Sequence, residues 1–326
     1  MEIRKLYING EWVDSVHDEW IEIENPATHE IIAKVPRGNK EDVDKAVKAA
    51  RAAFQTWQYT PLEERVALMK KVVEGLESRR QELIETITKE LGSPYKVSAE
   101  VHTDPFILEA KHYIQTASEF PYEQRRLTSV VRREPVGVVG GLTPWNFPLE
   151  QIEKKVVPAL LAGNCVVLKP SQFTPLTAYI LAEEIDRAGY PAGVFNLVTG
   201  RGGEVGNALA THEDVDMISF TGSTGAGREV ARMALGNIKK IALELGGKSA
   251  AILLDGWRLG ERYSWCFGNR CAECGTDMQC INQASCTKER TCKSRGNHQK
   301  AVGRVPIWAG RRSGCDTGTT VIEEAV

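Results

Sequence analysis

From residue 136 onward, short apolar runs alternate with amphipathic stretches. Val136-Gly137-Val138-Val139-Gly140 is followed by Cys165–Leu168, Val194–Val198, Met217–Phe220 and Ile241–Leu243. Between them, apolar residues recur at helical spacing over Leu149–Leu161, Pro175–Ala188, Val205–Ala210 and Gly227–Leu235. Runs of this length read as strands, and their alternation with helices predicts an α/β fold. The expected architecture is a Rossmann-like parallel sheet with right-handed crossovers and flanking helices. Each run gives way at its carboxyl end to polar residues and glycine, where open parallel sheets hold ligands.

Ahead of this stretch the pattern differs. Residues 7 to 36 read as extended segments with turns, including an Asn9-Gly10 hairpin signal between strand formers and a turn at Asn25-Pro26. Asn39 is placed to cap a helix carrying Val43, Ala46, Val47, Ala50 and Phe54 on one face. Pro61 is expected at the first position of another, whose stripe runs from Leu62 through Val66, Met69, Val73 and Leu76 to Leu83, Ile84 and Ile87. Helical text resumes over Ser98–Phe120 with an interruption at Pro105, and the charged segment Arg126–Glu134 reads as a surface or inter-subunit strand.

Composition changes the picture at one place. Of the 8 cysteines, only Cys165 precedes residue 256. The tail from Gly256 carries net charge +4 while the rest carries −6, and apolar periodicity fades there. Two parts are therefore expected: 1–255 as a dinucleotide-binding domain with a helical N-terminal portion, and 256–326 as a cysteine-rich, poorly ordered remnant. No apolar run approaches the roughly 18 residues that span a bilayer, and Met1-Glu2-Ile3-Arg4-Lys5-Leu6 is no signal-peptide core. A cytoplasmic protein without membrane association is expected. Basic residues such as Arg311-Arg312 are too diffuse for groove reading, so no nucleic-acid partner is expected.

Four motifs carry the chemistry: Thr143-Pro144-Trp145-Asn146-Phe147-Pro148, Leu168-Lys169-Pro170-Ser171, Phe220-Thr221-Gly222-Ser223-Thr224 and Leu243-Glu244-Leu245-Gly246-Gly247-Lys248. In this order and at these intervals they resemble the aldehyde dehydrogenase superfamily over residues 7 to about 255. The resemblance implies oxidation of a small-molecule aldehyde to a carboxylic acid with NAD or NADP, in a protein that is usually a homodimer or homotetramer.

The resemblance also implies roles. Asn146 donates to an oxyanion, a task suited to an amide that does not titrate. Glu244 is the general base that activates water against a thioester. Lys155 resembles a lysine assigned to proton relay near that glutamate. Lys169 binds the adenosine ribose, Ser171 after it is a further cofactor-binding residue, Gly202 and Gly206 lie on the adenosine side, and Ser223 takes the pyrophosphate. Thr143, Pro144, Trp145, Phe220, Thr221, Gly222, Leu245 and Gly246 complete the cofactor cleft. Many NAD-preferring members have Glu where this chain has Gln172, and an amide neither accepts strongly from a ribose 2′-hydroxyl nor repels a 2′-phosphate.

A nucleophilic cysteine is required, because a thiolate attacks the aldehyde and leaves as a thioester sulfur. Gln279-Cys280-Ile281-Asn282 matches best, with Cys280 36 residues beyond Glu244, although its flanks differ. Family-like islands at Asn282–Ser285 and Lys300–Val305 stand among unrelated text, so a truncated, frameshifted catalytic domain is expected. The alternative is a catalytically silent nucleotide-binding protein with a metal-binding tail, given Cys271-x-x-Cys274 and cysteines recurring every six residues through Cys292. The leading reading places no metal in the chain.

Overall fold

The computed structural model describes residues 2–247, 250–252 and 283–285. The chain divides into two compact units, Met1–Leu245 and Gly246–Val326.

The first unit begins with strands: β1 (Glu2–Ile3), β2 (Leu6–Ile8), β3 (Glu11–Val13), β4 (Trp20–Glu24) and β5 (Ile31–Pro36). Helices α1 (Lys40–Trp57), α2 (Leu62–Ser78), α3 (Arg80–Leu91), α4 (Tyr95–Glu100) and α5 (Asp104–Glu119) follow. A hairpin of β6 (Glu123–Arg125) and β7 (Val130–Arg132) then leads into the alternating portion. That portion runs β8 (Val138–Leu142), α6 (Pro148–Leu161), β9 (Cys165–Lys169), α7 (Leu176–Ala188) and β10 (Phe195–Leu197). It continues through a π-helical turn (Gly202–Gly206), α8 (Asn207–Thr211), β11 (Met217–Gly222), α9 (Thr224–Leu235) and β12 (Lys240–Leu245).

The expected parallel sheet is present. Its order is β12-β11-β8-β9-β10-β2-β3, with β12 through β10 mutually parallel. Every residue of β8, β9 and β10 is buried, including Lys169 at the end of β9 and Asn196 within β10. At one edge the N-terminal hairpin adds two antiparallel strands, Leu197 pairing with Tyr7. Asn9 and Gly10 turn this hairpin with φ of 55° and 79°, the left-handed pair that matches strand twist. The Asn9 N–H then donates to Asn196 Oδ1 at 2.9 Å, fastening the turn to β10.

Asn39 caps α1 as expected. Its side chain accepts from the N–H groups of Glu41 and Asp42 while Asp42 accepts from the Asn39 N–H, a complete capping box. The stripe from Leu62 to Ile87 is continuous in pattern but broken in space at Arg79. No proline or glycine stands at the break; the Arg79 guanidinium is held by Glu82 and, on α7, by Glu183 and Glu184, which fixes the turn between α2 and α3. Pro61 precedes the first helical residue, and Pro105 starts α5 in its first turn, where a missing N–H costs nothing. The Arg126–Glu134 segment supplies β7, with Leu127, Val130 and Val131 exposed.

In the second unit, β13 (Ala250–Ile252) pairs in parallel with β14 (Gln283–Ser285). Among the described residues no helix is long and apolar enough to cross a membrane.

Candidate functional site

Strand register lines up the carboxyl ends of the sheet. Thr221 pairs with Glu244, Phe220 with Leu142, and Leu142 with Lys169. With adjacent strands about 4.8 Å apart, the exits of β12, β11, β8 and β9 lie side by side along one edge of the sheet. The polar residues gather here because the central strands β8 and β9 are buried along their length and apolar up to this edge.

The β8 exit turns at once into α6. Thr143 N–H donates to Lys169 O at 3.2 Å, and Thr174 Oγ1 donates to Trp145 O at 3.2 Å, which ties this turn to the β9 exit. Asn146 is buried, while Trp145 is exposed. Phe147 anchors the turn between the rings of His102 and Phe106, and Pro148 opens α6 in the position where its ring is pre-organised for a helix.

Helix α6 carries Lys155 back across the sheet. Its Nζ donates to Thr221 Oγ1 at 2.7 Å. Burial pushes the Lys155 ammonium down to about 8, and the Glu244 and Glu150 carboxylates oppose that shift. A buried amine on α6, Lys155, is therefore bonded to a hydroxyl on β11, Thr221, whose register partner on β12 is the exposed carboxylate Glu244.

At β9 the buried Lys169 donates to Pro170 O and, at 3.2 Å, to Gly200 O; burial lowers it to about 8. Ser171 Oγ accepts from Phe173 N–H at 3.2 Å. Beyond β10, a Cβ added at Gly202 or Gly203 would meet open space, whereas Gly206 is buried near Lys169. At β11 the Phe220 ring packs against the core and crosses Gly222, where an added Cβ would stand 2.6 Å from it. Ser223 caps α9, accepting from Ala226 N–H at 3.2 Å. Leu245 packs on Gly227, where a Cβ would come within 2.4 Å of its side chain, and an added Cβ at Gly246 meets nothing among the described residues.

Asn146, Lys155, Thr221 and Glu244 thus belong to the β8–β11–β12 side of the edge, and Lys169, Ser171, Gln172 and Gly206 to the β9–β10 side. Cys280 and the cysteines of the metal-binding alternative lie outside the described residues. Sequence reasoning missed Glu153, a buried α6 carboxyl that desolvation and the nearby Glu109 push up to about 9. It also missed Arg37, whose guanidinium reaches Glu204 from the far side of the chain. A single charged residue, in helical text or after a strand, gives no warning of either.

A sheet of parallel strands with ligand-type residues gathered at one carboxyl edge defines an α/β unit of the doubly wound class. The model of the aldehyde dehydrogenase family matches residues 12–325, past the end of the motif resemblance. A Staphylococcus aureus (strain USA300) relative whose name places it in the same family is 47% identical over 254 residues, 77% of this chain and 53% of its own length. Among solved structures, the aldehyde dehydrogenase of Bartonella henselae superposes with a TM-score of 0.92 at 34% identity, covering 96% of this chain and 67% of its own. A cysteine-to-alanine mutant of aldehyde dehydrogenase C from Pseudomonas syringae, complexed with NAD+ and octanal, gives 0.88 at 36%, with 93% and 62% covered. The NAD+ complex of a Bacillus cereus aldehyde dehydrogenase gives 0.90 at 34%, with 95% and 64% covered. The chain belongs to the aldehyde dehydrogenase family. It spans about half the length of the curated relatives it matches.

Proposed function

We propose that this chain serves the NAD(P)-dependent oxidation of an aldehyde to a carboxylic acid, with the cofactor seated along the carboxyl edge of the sheet. The observation that carries the reading is the register that aligns Thr221–Glu244 with the exits of β8 and β9, and the Lys155–Thr221 bond across it. The donor set suits a dinucleotide. Lys169 offers an ammonium, the α9 N-terminus offers backbone N–H groups behind Ser223, and an added Cβ at Gly225 meets nothing among the described residues, which leaves a phosphate room to approach. When bound, the nicotinamide accepts a hydride.

The chain's residues do the remainder. The Cys280 thiolate attacks the aldehyde carbon, and Asn146 donates a hydrogen bond to the oxygen as it gains charge. Loss of hydride leaves a thioester on Cys280, and the Glu244 carboxylate takes a proton from the water that hydrolyses it. Lys155, held near its own pKa at neutral to mildly alkaline pH, relays that proton through Thr221. The relatives solved with NAD+, and the one with octanal, support this substrate class. The exposed β6–β7 hairpin offers a second copy an edge for assembly.

The test is aldehyde-dependent reduction of NAD+ or NADP+ by the full chain, with short aliphatic and aromatic aldehydes. Replacing Asn146 with Ala lowers the rate about 10²- to 10³-fold, the usual cost of one oxyanion donor. Glu244→Gln arrests hydrolysis after the first reduced cofactor forms. Activity that survives both substitutions contradicts the proposal.

A further inference from the structure

Among the described residues the buried cations are Arg65, Lys155, Lys169 and Lys239. The three lysines have oxygen acceptors: Lys155 donates to Thr221 Oγ1, Lys169 to the Pro170 and Gly200 carbonyls, and Lys239 to the carbonyls of His212 and Val215. Arg65, in the first turn of α2, is only 8% exposed, and its Nε is sealed from solvent without an acceptor. No carboxylate pairs with it among the described residues; Glu63 couples with it but is exposed and makes no bond to it. A buried guanidinium left unanswered is costly, so its retention calls for an acceptor from outside these groups.

A second donor stands unmet beside it. The Tyr190 hydroxyl is buried with no partner, and it lies close enough to Arg65 for the two groups to couple, as does Tyr122. Both unmet donors border the turn Gly163-Asn164. Arg65 Nη1 fills the space that a Cβ would take at Gly163, while the Tyr190 ring packs 5.5 Å from that of Trp57, whose Nε1 donates to Asn164 O at 3.1 Å. This turn enters β9 at its amino end. With about 3.3 Å per strand residue, β9 sets these donors roughly 16 Å from the carboxyl edge that seats the dinucleotide.

We propose that Arg65 and Tyr190 form a binding site for a small tetrahedral oxyanion of the phosphate class, separate from the nucleotide seat. The guanidinium fork donates to two oxygens and the hydroxyl to a third, a set that phosphate fills and a planar carboxylate does not. The remaining exposure of Arg65, beside half-buried Tyr122, gives the anion access from solvent. Once bound, the anion neutralises a charge that is otherwise buried unpaired, and so fastens the start of α2 to the α6–β9 turn.

Calorimetric titration of the full chain with sodium phosphate, at ionic strength held constant with sodium chloride, tests this. Saturable binding is expected, at least about tenfold tighter than acetate and weakened about tenfold or more in Arg65→Met and in Tyr190→Phe. Lys169→Met, at the nucleotide seat, should leave it unchanged. In phosphate-free buffer Arg65→Met should melt above the parent, because it removes an unpaired buried charge, and saturating phosphate should raise the parent's melting temperature more than the variant's. Tyr190→Phe keeps the ring and its packing, and carries the test if Arg65→Met does not fold. Absence of saturable heat, affinity no better than for acetate, or binding untouched by Tyr190→Phe overturns the proposal. Loss of binding in Lys169→Met overturns it too, by assigning the phosphate to the nucleotide seat.

Discussion

Lys155 Nζ and Thr221 Oγ1 lie 2.7 Å apart although 66 residues separate them, and Thr221 is the register partner of Glu244. A buried ammonium is therefore bonded to a hydroxyl on the strand next to the carboxylate's own. Thr221→Val keeps the shape and removes the acceptor, leaving a buried cation one partner short. It is expected to cost about 1–3 kcal/mol in urea unfolding at pH 7 and to lower the Lys155 pKa further. An unchanged midpoint would show that the bond adds nothing.

The pH dependence of stability has a predictable sign here. The folded chain holds Lys155 at about 8, below the ordinary lysine value of 10.5, so between these limits the unfolded state binds more protons. The cost of burying the charge is complete below about pH 8 and is relieved as pH rises toward 10.5, so this group makes stability increase over that window. Lys155→Met removes that contribution, and the difference between variant and parent in unfolding free energy should narrow from pH 8 to pH 10. A constant difference would contradict the burial argument.

Glu90 behaves in the opposite sense. Fully buried, it accepts from the Leu176 and Thr177 N–H groups and from the Thr177 hydroxyl, capping α7 from another helix. Desolvation raises it to about 7, with those hydrogen bonds opposing the shift. Its folded value lies above its unfolded one, so its contribution is complete below about pH 4.5 and is lost as pH rises through 7. Glu90→Gln should flatten the stability profile between pH 4.5 and 7, measured by thermal melting, whereas a slope as steep as the parent's would refute the assignment.

Local signals explain what was legible in the sequence. Asn9-Gly10, the Asn39 cap and the five apolar runs each encode structure within a few residues, and each stands where its chemistry required. The polar motifs at strand ends were equally readable, because register in a buried parallel sheet leaves them one edge to occupy. Features made by distant residues were not readable. The break at Arg79 depends on two α7 acids, the N-terminal hairpin joins the sheet through a single Tyr7–Leu197 pairing, and Arg37 meets Glu204 across 167 residues. Helical periodicity carries no information about such partners.

The Asn39 capping box makes a simple local prediction. Asn39→Ala deprives Glu41 and Asp42 of their acceptor and should cost about 1 kcal/mol in chemical denaturation. Asn39→Asp, which retains an acceptor, should cost little. Equal losses from both would show that the amide group itself, and not its acceptor oxygen, matters.

Calorimetry of the whole polypeptide with a nicotinamide dinucleotide, in parallel with its Lys169→Met variant, bears most directly on the idea that the strand exits form one nucleotide seat. The account predicts saturable binding of one dinucleotide per chain, weakened about tenfold or more when the Lys169 ammonium is removed. Absence of saturable heat, or identical binding by the variant, would contradict it.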